Sequence, residues 1–124
     1  MRMIGQLVAT MFLSREMAHR AHLAVTGTGS FAKHSALGEF YPAIIKIADS
    51  ITEAYQGRHS LIEIPYLDAP DDYTDIINIL ELHLEDIEEM RYNAVDKKDS
   101  AIQNLIDEAV GTYLSALYKL KNLK

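Results

Sequence analysis

Four stretches of this chain place an apolar residue at every third or fourth position. That spacing dictates amphipathic helices before any other feature is weighed. The first stripe runs through Ile4, Leu7, Val8, Met11, Phe12, Met17, Ala18, Ala21 and Val25. The second runs through Leu37, Phe40, Ile44, Ile47, Ala48, Ile51, Ala54 and Tyr55. The third carries Ile76, Ile77, Leu80, Leu84, Ile87 and Met90, and the fourth Ile102, Leu105, Ile106, Ala109, Tyr113, Leu117 and Leu120. A helix with one apolar stripe must bury it against another layer, so the expected fold class is all-α, a four-helix bundle.

The breaks between the stripes are read from glycine, proline and capping residues. Gly27 and Gly29 stop the first helix, and Ser30 is expected to cap the second. Pro42 lies four residues after Gly38. Its missing N–H predicts either a kink near Tyr41 or a restart at Pro42, leaving Asp49 and Glu53 in regular helix. Residues 57–72, GRHSLIEIPYLDAPDD, are punctuated by Gly57, Pro65 and Pro70. Leu61, Ile62, Ile64, Tyr66 and Leu67 make this segment too apolar for a floppy linker. It is expected to be a long, extended crossover that lets the second and third helices run parallel. Asp71 or Asp72 is expected to cap the third helix, and the segment from Val95 to Asp99 to turn the chain into the fourth.

At 124 residues the chain is expected to be one domain, residues 1–124. It has no cysteine, which removes disulfides and thiolate metal sites and fits a reducing compartment. Arg15 and Glu16 interrupt the apolar start, so the N-terminus reads as a first helix and not as a signal peptide. No run reaches the length of a membrane span. The expectation is a cytoplasmic protein with no membrane partner. The formal charge of −6 lacks the basic footprint of a general DNA binder.

The residues with chemistry to offer concentrate between His19 and Glu53. His22 and His34 stand twelve residues apart across the glycine break, and Asp49 and Glu53 follow on the second helix. The i,i+4 spacing of the two acids puts them one turn apart, about 6 Å, on one face. Two imidazoles and two carboxylates suit iron, zinc or manganese better than magnesium or calcium alone. A plainer reading makes the acids a solvated face and His22 a cation at the negative end of a helix.

A rival donor set is Glu16 and His19, spaced as Glu-x-x-His on one helix. Di-iron carboxylate bundles use that motif in pairs, and no second copy is present. His59 and His83 read as incidental. Met1, Met3 and Met11 read as core filling. Tyr55, Tyr113 and Tyr118 read as core or interface aromatics. Lys119, Lys121 and Lys124 read as favourable charge at a helix C-terminus. The acidic run Glu81, Glu85, Asp86, Glu88 and Glu89 reads as solvated surface. There is no Gly-rich phosphate loop, Ser-His-Asp order or nucleophile elbow.

The stretch resembles the Dps proteins, the mini-ferritins of the ferritin-like superfamily. His22, Gly27, Phe31, His34, Tyr41, Asp49, Ile51 and Glu53 fall in register on that family's signature. The resemblance implies a ferritin-like bundle with a long crossover between the second and third helices. It further implies a homo-oligomer, at least a dimer, whose subunits share a ferroxidase site. Carried over, His22 and His34 from one chain and Asp49 and Glu53 from its two-fold mate would hold ferrous iron, with zinc or manganese able to stand in. The implied activity is oxidation of ferrous iron by hydrogen peroxide, for detoxification or iron storage. Leu23 stands where the family often has tryptophan, and the segment after Gly57 is shorter than usual. The alternative function is a non-enzymatic ferritin-like binding or regulatory module engaging a protein or small ligand.

Overall fold

The computed structural model describes residues 3–124. Four helices follow one another: α1 (Met3–Ala24), α2 (Ser30–Arg58), α3 (Ile76–Ala94) and α4 (Ser100–Asn122). Among the described residues there is no strand. Among the described residues no helix is long and apolar enough to cross a membrane.

The stripes of the sequence are the buried faces. α1 packs on α2 and α3, and α4 packs on the same two, so α1 and α4 face each other across a diagonal. Leu7, Met11, Leu37, Ile44, Ile51, Leu80, Ile87 and Ile102 are fully buried along the axis. Each contributes about 1.5 to 3 kcal/mol relative to an exposed position. The Phe40 and Tyr113 rings meet edge to face, with centroids 5.1 Å apart, a favoured aromatic geometry. Met11 is buried and Met3 half-buried, as core filling requires, whereas Met1 lies outside the described residues.

Three local expectations are corrected. Ser30 does not cap α2. It is the first helical residue, and the cap position is Gly29, whose φ of 81° places it in the left-handed region without a side-chain cap. Gly27 has φ 86°, so two closely spaced glycines supply a reversal that other residues would make under strain. Asp71 and Asp72 do not cap α3. Asp75 does, accepting from the Asn78 N–H at 3.3 Å. Asp72 instead accepts from the Thr74 N–H at 2.8 Å, and hydrogen bonds from Thr74 hold its carboxyl below the usual value. Finally, α2 does not restart at Pro42 but runs through it from Ser30 to Arg58. Proline in a helix interior costs about 3 kcal/mol. Pro42 is exposed, and the burial of Phe40, Ile44 and Ile51 on the other face offsets that cost.

Residues 59–75 carry no helix. Ile62 and Ile64 pack partly onto the core, and the Ile62 N–H donates to Gln56 Oε1 at 3.1 Å. The segment comes so close to α1 that a methyl group at Gly5 would run into the Glu63 carbonyl oxygen. Leu61 and Tyr66, expected to pack, are instead 81 % and 104 % exposed. Alternation along an extended chain puts Ile62 and Ile64 inward and their neighbours outward.

The α3–α4 corner is tied by a buried network. Arg91 Nε donates to Gln103 Oε1 at 2.9 Å, and its Nη2 donates to the Gln103 carbonyl at 3.0 Å and to Asp107 Oδ1 at 2.6 Å. Gln103 Nε2 in turn donates to the Val95 carbonyl at 3.1 Å. These bonds satisfy both a buried guanidinium and carbonyls at the end of α3. Asp99 caps α4 by accepting from the Ile102 N–H and also pairs with Arg58 at 2.9 Å.

Candidate functional site

His22 closes α1 and His34 stands in the first turns of α2. The glycine turn folds these ends onto each other, and the two imidazoles stack with centroids 3.7 Å apart and planes 19° from parallel. Each ring reaches across to the other's backbone: His22 Nδ1 donates to the His34 carbonyl at 2.7 Å, and His34 Nδ1 donates to the His22 carbonyl at 2.9 Å. A carbonyl oxygen only accepts, so both protons sit on Nδ1. In its neutral form each ring, so oriented, presents its lone pair at Nε2. Among the described residues neither Nε2 takes part in a hydrogen bond. An imidazole oriented through Nδ1 by a carbonyl, with Nε2 free, is the arrangement that prepares histidine for a metal ion.

Gly38 makes room for this pair. A Cβ at that position would lie 2.9 Å from His22 Cε1 and 3.3 Å from its Nδ1, so a larger residue would require the His22 ring to shift. On the far side, the Tyr41 ring stacks on His19 at 4.3 Å and tilts against His22 at 5.4 Å. Tyr41 and His19 thus wall the site. The rival pair Glu16 and His19 does not converge, because Glu16 is engaged by Arg20 at 2.6 Å and His19 lies flat on Tyr41.

Asp49 and Glu53 are exposed on α2. Asp49 lies fifteen residues past His34, a rise of about 22 Å along the helix. The two acids do not join the two histidines within one chain. Among the described residues no group of three or more His, Asp or Glu side chains converges as an ion site. The chain holds an imidazole pair at one place and a carboxylate pair at another.

Residues 22–120 match a family of unknown function, DUF5856. The chain belongs to this family. The match begins at His22 and takes in His34, Asp49 and Glu53. No curated protein and no solved structure matches the DUF5856 chain.

A second polar group in this DUF5856 chain was not anticipated. Ser14 of α1 is fully buried. Its hydroxyl lies 2.7 Å from His83 Nδ1 on α3 and 2.6 Å from the Tyr113 hydroxyl on α4. Counting protons fixes the direction of this chain. Among the described residues the Tyr113 hydroxyl has no other partner, so it must donate to Ser14, and Ser14 must donate to His83 Nδ1. His83 then carries its proton on Nε2. Charging His83 would turn Nδ1 into a donor and orphan a hydroxyl hydrogen in the core. Burial holds the His83 imidazole below the ordinary histidine value, with Asp86 acting in the opposite sense. Burial also pushes the Tyr113 phenol well above its usual value, opposed by the bond to Ser14. His83 is therefore not incidental, and Tyr113 is the core aromatic expected. The signal was present in the sequence: Ser14 lies in register with Met11, Met17 and Ala18, and His83 beside Leu84 in the Leu80–Ile87 stripe.

Proposed function

We propose that this chain binds ferrous iron and promotes its oxidation at a site shared between two copies, in the manner of the Dps proteins. The observation that carries the reading is the His22–His34 pair, with both Nδ1 atoms tied to backbone carbonyls and both Nε2 atoms free. Two neutral imidazoles leave most of an ion's coordination sphere open, and acids are needed to neutralise the rising charge of the ferric product. Asp49 and Glu53 are the exposed i,i+4 pair suited to that role. Since one protomer separates them from the histidines, the second copy supplies them. In the reaction each ferrous ion gives up one electron. One hydrogen peroxide takes two electrons and two protons to become two waters. Zinc or manganese accept the same donors and would compete for iron's place, and zinc, which has no redox chemistry, would do so without turnover.

The architecture that goes with this reading is ferritin-like, with residues 59–75 as one long crossover. The pairings at the two ends of the bundle support it. Arg58 at the end of α2 meets Asp99 at the start of α4. Lys121 at the end of α4 meets Glu81 early in α3, at 2.8 Å. Both pairings fit a segment joining α2 to α3 that travels from one end to the other, with α2 and α3 parallel.

The test is a crystal grown with ferrous iron under anaerobic conditions, with anomalous scattering recorded at the iron edge. Iron held by His22, His34 and a neighbour's Asp49 and Glu53 supports the proposal. So does peroxide-driven iron oxidation above the blank rate that is lost in His22→Ala/His34→Ala. Iron oxidation at the blank rate, with no iron at these residues, leaves the non-enzymatic binding module as the reading.

A further inference from the structure

α3 and α4 enclose a shallow groove of about 640 Å³ on a face that the iron reading does not use. Its floor is apolar: Leu84 and Leu117 are nearly buried, while Leu114 and Tyr118, one turn apart on α4, are 54 % and 60 % exposed. Its wall is acidic. Glu81, Glu85 and Glu88 line it at helical spacing, and Glu89 completes it. Lys121 is the one cation in the lining, and it is already engaged with Glu81. A row of carboxylates beside exposed leucine and tyrosine is not an ordinary solvated face, because water gains nothing from the apolar half.

We propose that this groove docks an amphipathic helix of another protein, apolar on the side facing Leu114 and Tyr118 and bearing lysine or arginine toward Glu85, Glu88 and Glu89. Two arguments fix that occupant. The walls are helices, whose backbone groups are already paired, so they offer no sheet edge. A segment that satisfies its own backbone, a helix, is therefore the occupant that fits these walls. The stripe from Glu81 to Glu88 rises about 10 Å, matching about two turns of a partner helix. The charge favours a basic partner, which is steered in and held, over a second copy of this chain, whose formal charge is −6. The proposal is independent of the iron-site reading, because none of its residues is His22, His34, Asp49 or Glu53.

The probe is a fluorescently labelled synthetic helix with leucine at i, i+3, i+4 and i+7 and lysine elsewhere. Its controls are the same peptide with glutamate for lysine and a shuffled peptide of equal composition. Fluorescence anisotropy is measured at low and high salt with the full-length protein. The lysine peptide is expected to bind saturably, more weakly at high salt, and the two controls not to bind. Glu85→Lys/Glu88→Lys and Leu114→Asp are each expected to weaken binding by about tenfold or more. Asp71→Lys/Asp72→Lys, an equal charge change outside the groove, is expected to leave it unchanged. Should Leu114→Asp fail to fold by circular dichroism, Tyr118→Ser takes its place. Equal binding of the shuffled peptide, or equal weakening by the Asp71/Asp72 variant, would overturn the proposal. So would indifference to Leu114→Asp, or self-association of the protein abolished by Leu114→Asp.

Discussion

The Tyr113 hydroxyl lies 2.6 Å from Ser14 Oγ across the diagonal of the bundle, joining two helices whose backbones do not touch. Both groups are fully buried, so neither has water as a substitute partner. The two ends of this contact are not equivalent. Tyr113→Phe removes a donor and leaves Ser14 free to donate to His83, and is expected to cost about 0.5 to 1.5 kcal/mol. Ser14→Ala orphans both the phenol and His83 Nδ1 and is expected to cost about 1 to 3 kcal/mol. Urea melts of the two variants and of the double variant check the order. Equal losses would contradict the donor direction assigned here.

Acid should weaken the fold through His83. Its folded value lies below the ordinary 6.5, so in the window between the two the unfolded chain binds more protons than the folded one. Stability is therefore complete above 6.5, falls as pH drops below it, and levels off once the folded imidazole also charges. His83→Gln keeps an acceptor for Ser14 and does not titrate. Chemical denaturation from about pH 8 to about pH 5 should show a shallower slope in that variant than in the parent. An unchanged slope would assign the acid sensitivity to other groups.

Sharing between protomers makes a complementation experiment decisive for the iron reading. His22→Ala/His34→Ala and Asp49→Ala/Glu53→Ala are each expected to lose peroxide-driven iron oxidation. Unfolded together and refolded as a mixture, they should regain part of it. A mixed dimer holds one composite site with all four side chains and one with none. Activity that stays absent in the mixture, while each variant folds and assembles, would place the ligands within one chain or nowhere.

Arg91 is expected to be the costliest polar residue at the α3–α4 corner. Arg91→Met keeps most of the apolar stem but strands Gln103 Oε1 in buried surroundings, while the Gln103 carbonyl, inside α4, keeps its helical partner. A loss of about 2 to 3 kcal/mol in thermal or urea unfolding is expected. Asp107→Asn should cost far less, since the Asp107 side chain is 60 % exposed and solvent screens its pairing.

The sequence made some of this legible and hid the rest for definable reasons. Periodicity located all four helices, because a stripe such as Leu80–Leu84–Ile87 has no other way to be buried. Capping was misread at both predicted sites. Ser30 and Asp72 are sound capping residues by type, but the geometry that decides is set by where the chain first turns helical, at Gly29 and Asp75. Pro42 was weighed by local rules alone, while the buried face around Phe40 and Ile44 carries the helix through it. His22 and His34 were singled out by their register with a known signature. Their mutual bonds to each other's carbonyls depend on the turn angle between two helices, which spacing does not encode. His83 reads as incidental in the sequence because its partners, Ser14 and Tyr113, lie far from it along the chain.

Gly38 turns the His22–His34 arrangement into something that can be read without coordinates. Any residue other than glycine there would push the His22 ring out of its place. Among members of DUF5856, those with glycine at this position are the ones able to keep the imidazole pair as it stands. Those with a larger residue can keep it only if the His22 ring shifts. One column of an alignment thus ranks the members of the family by how readily they keep this corner, and so by which to assay first for metal chemistry.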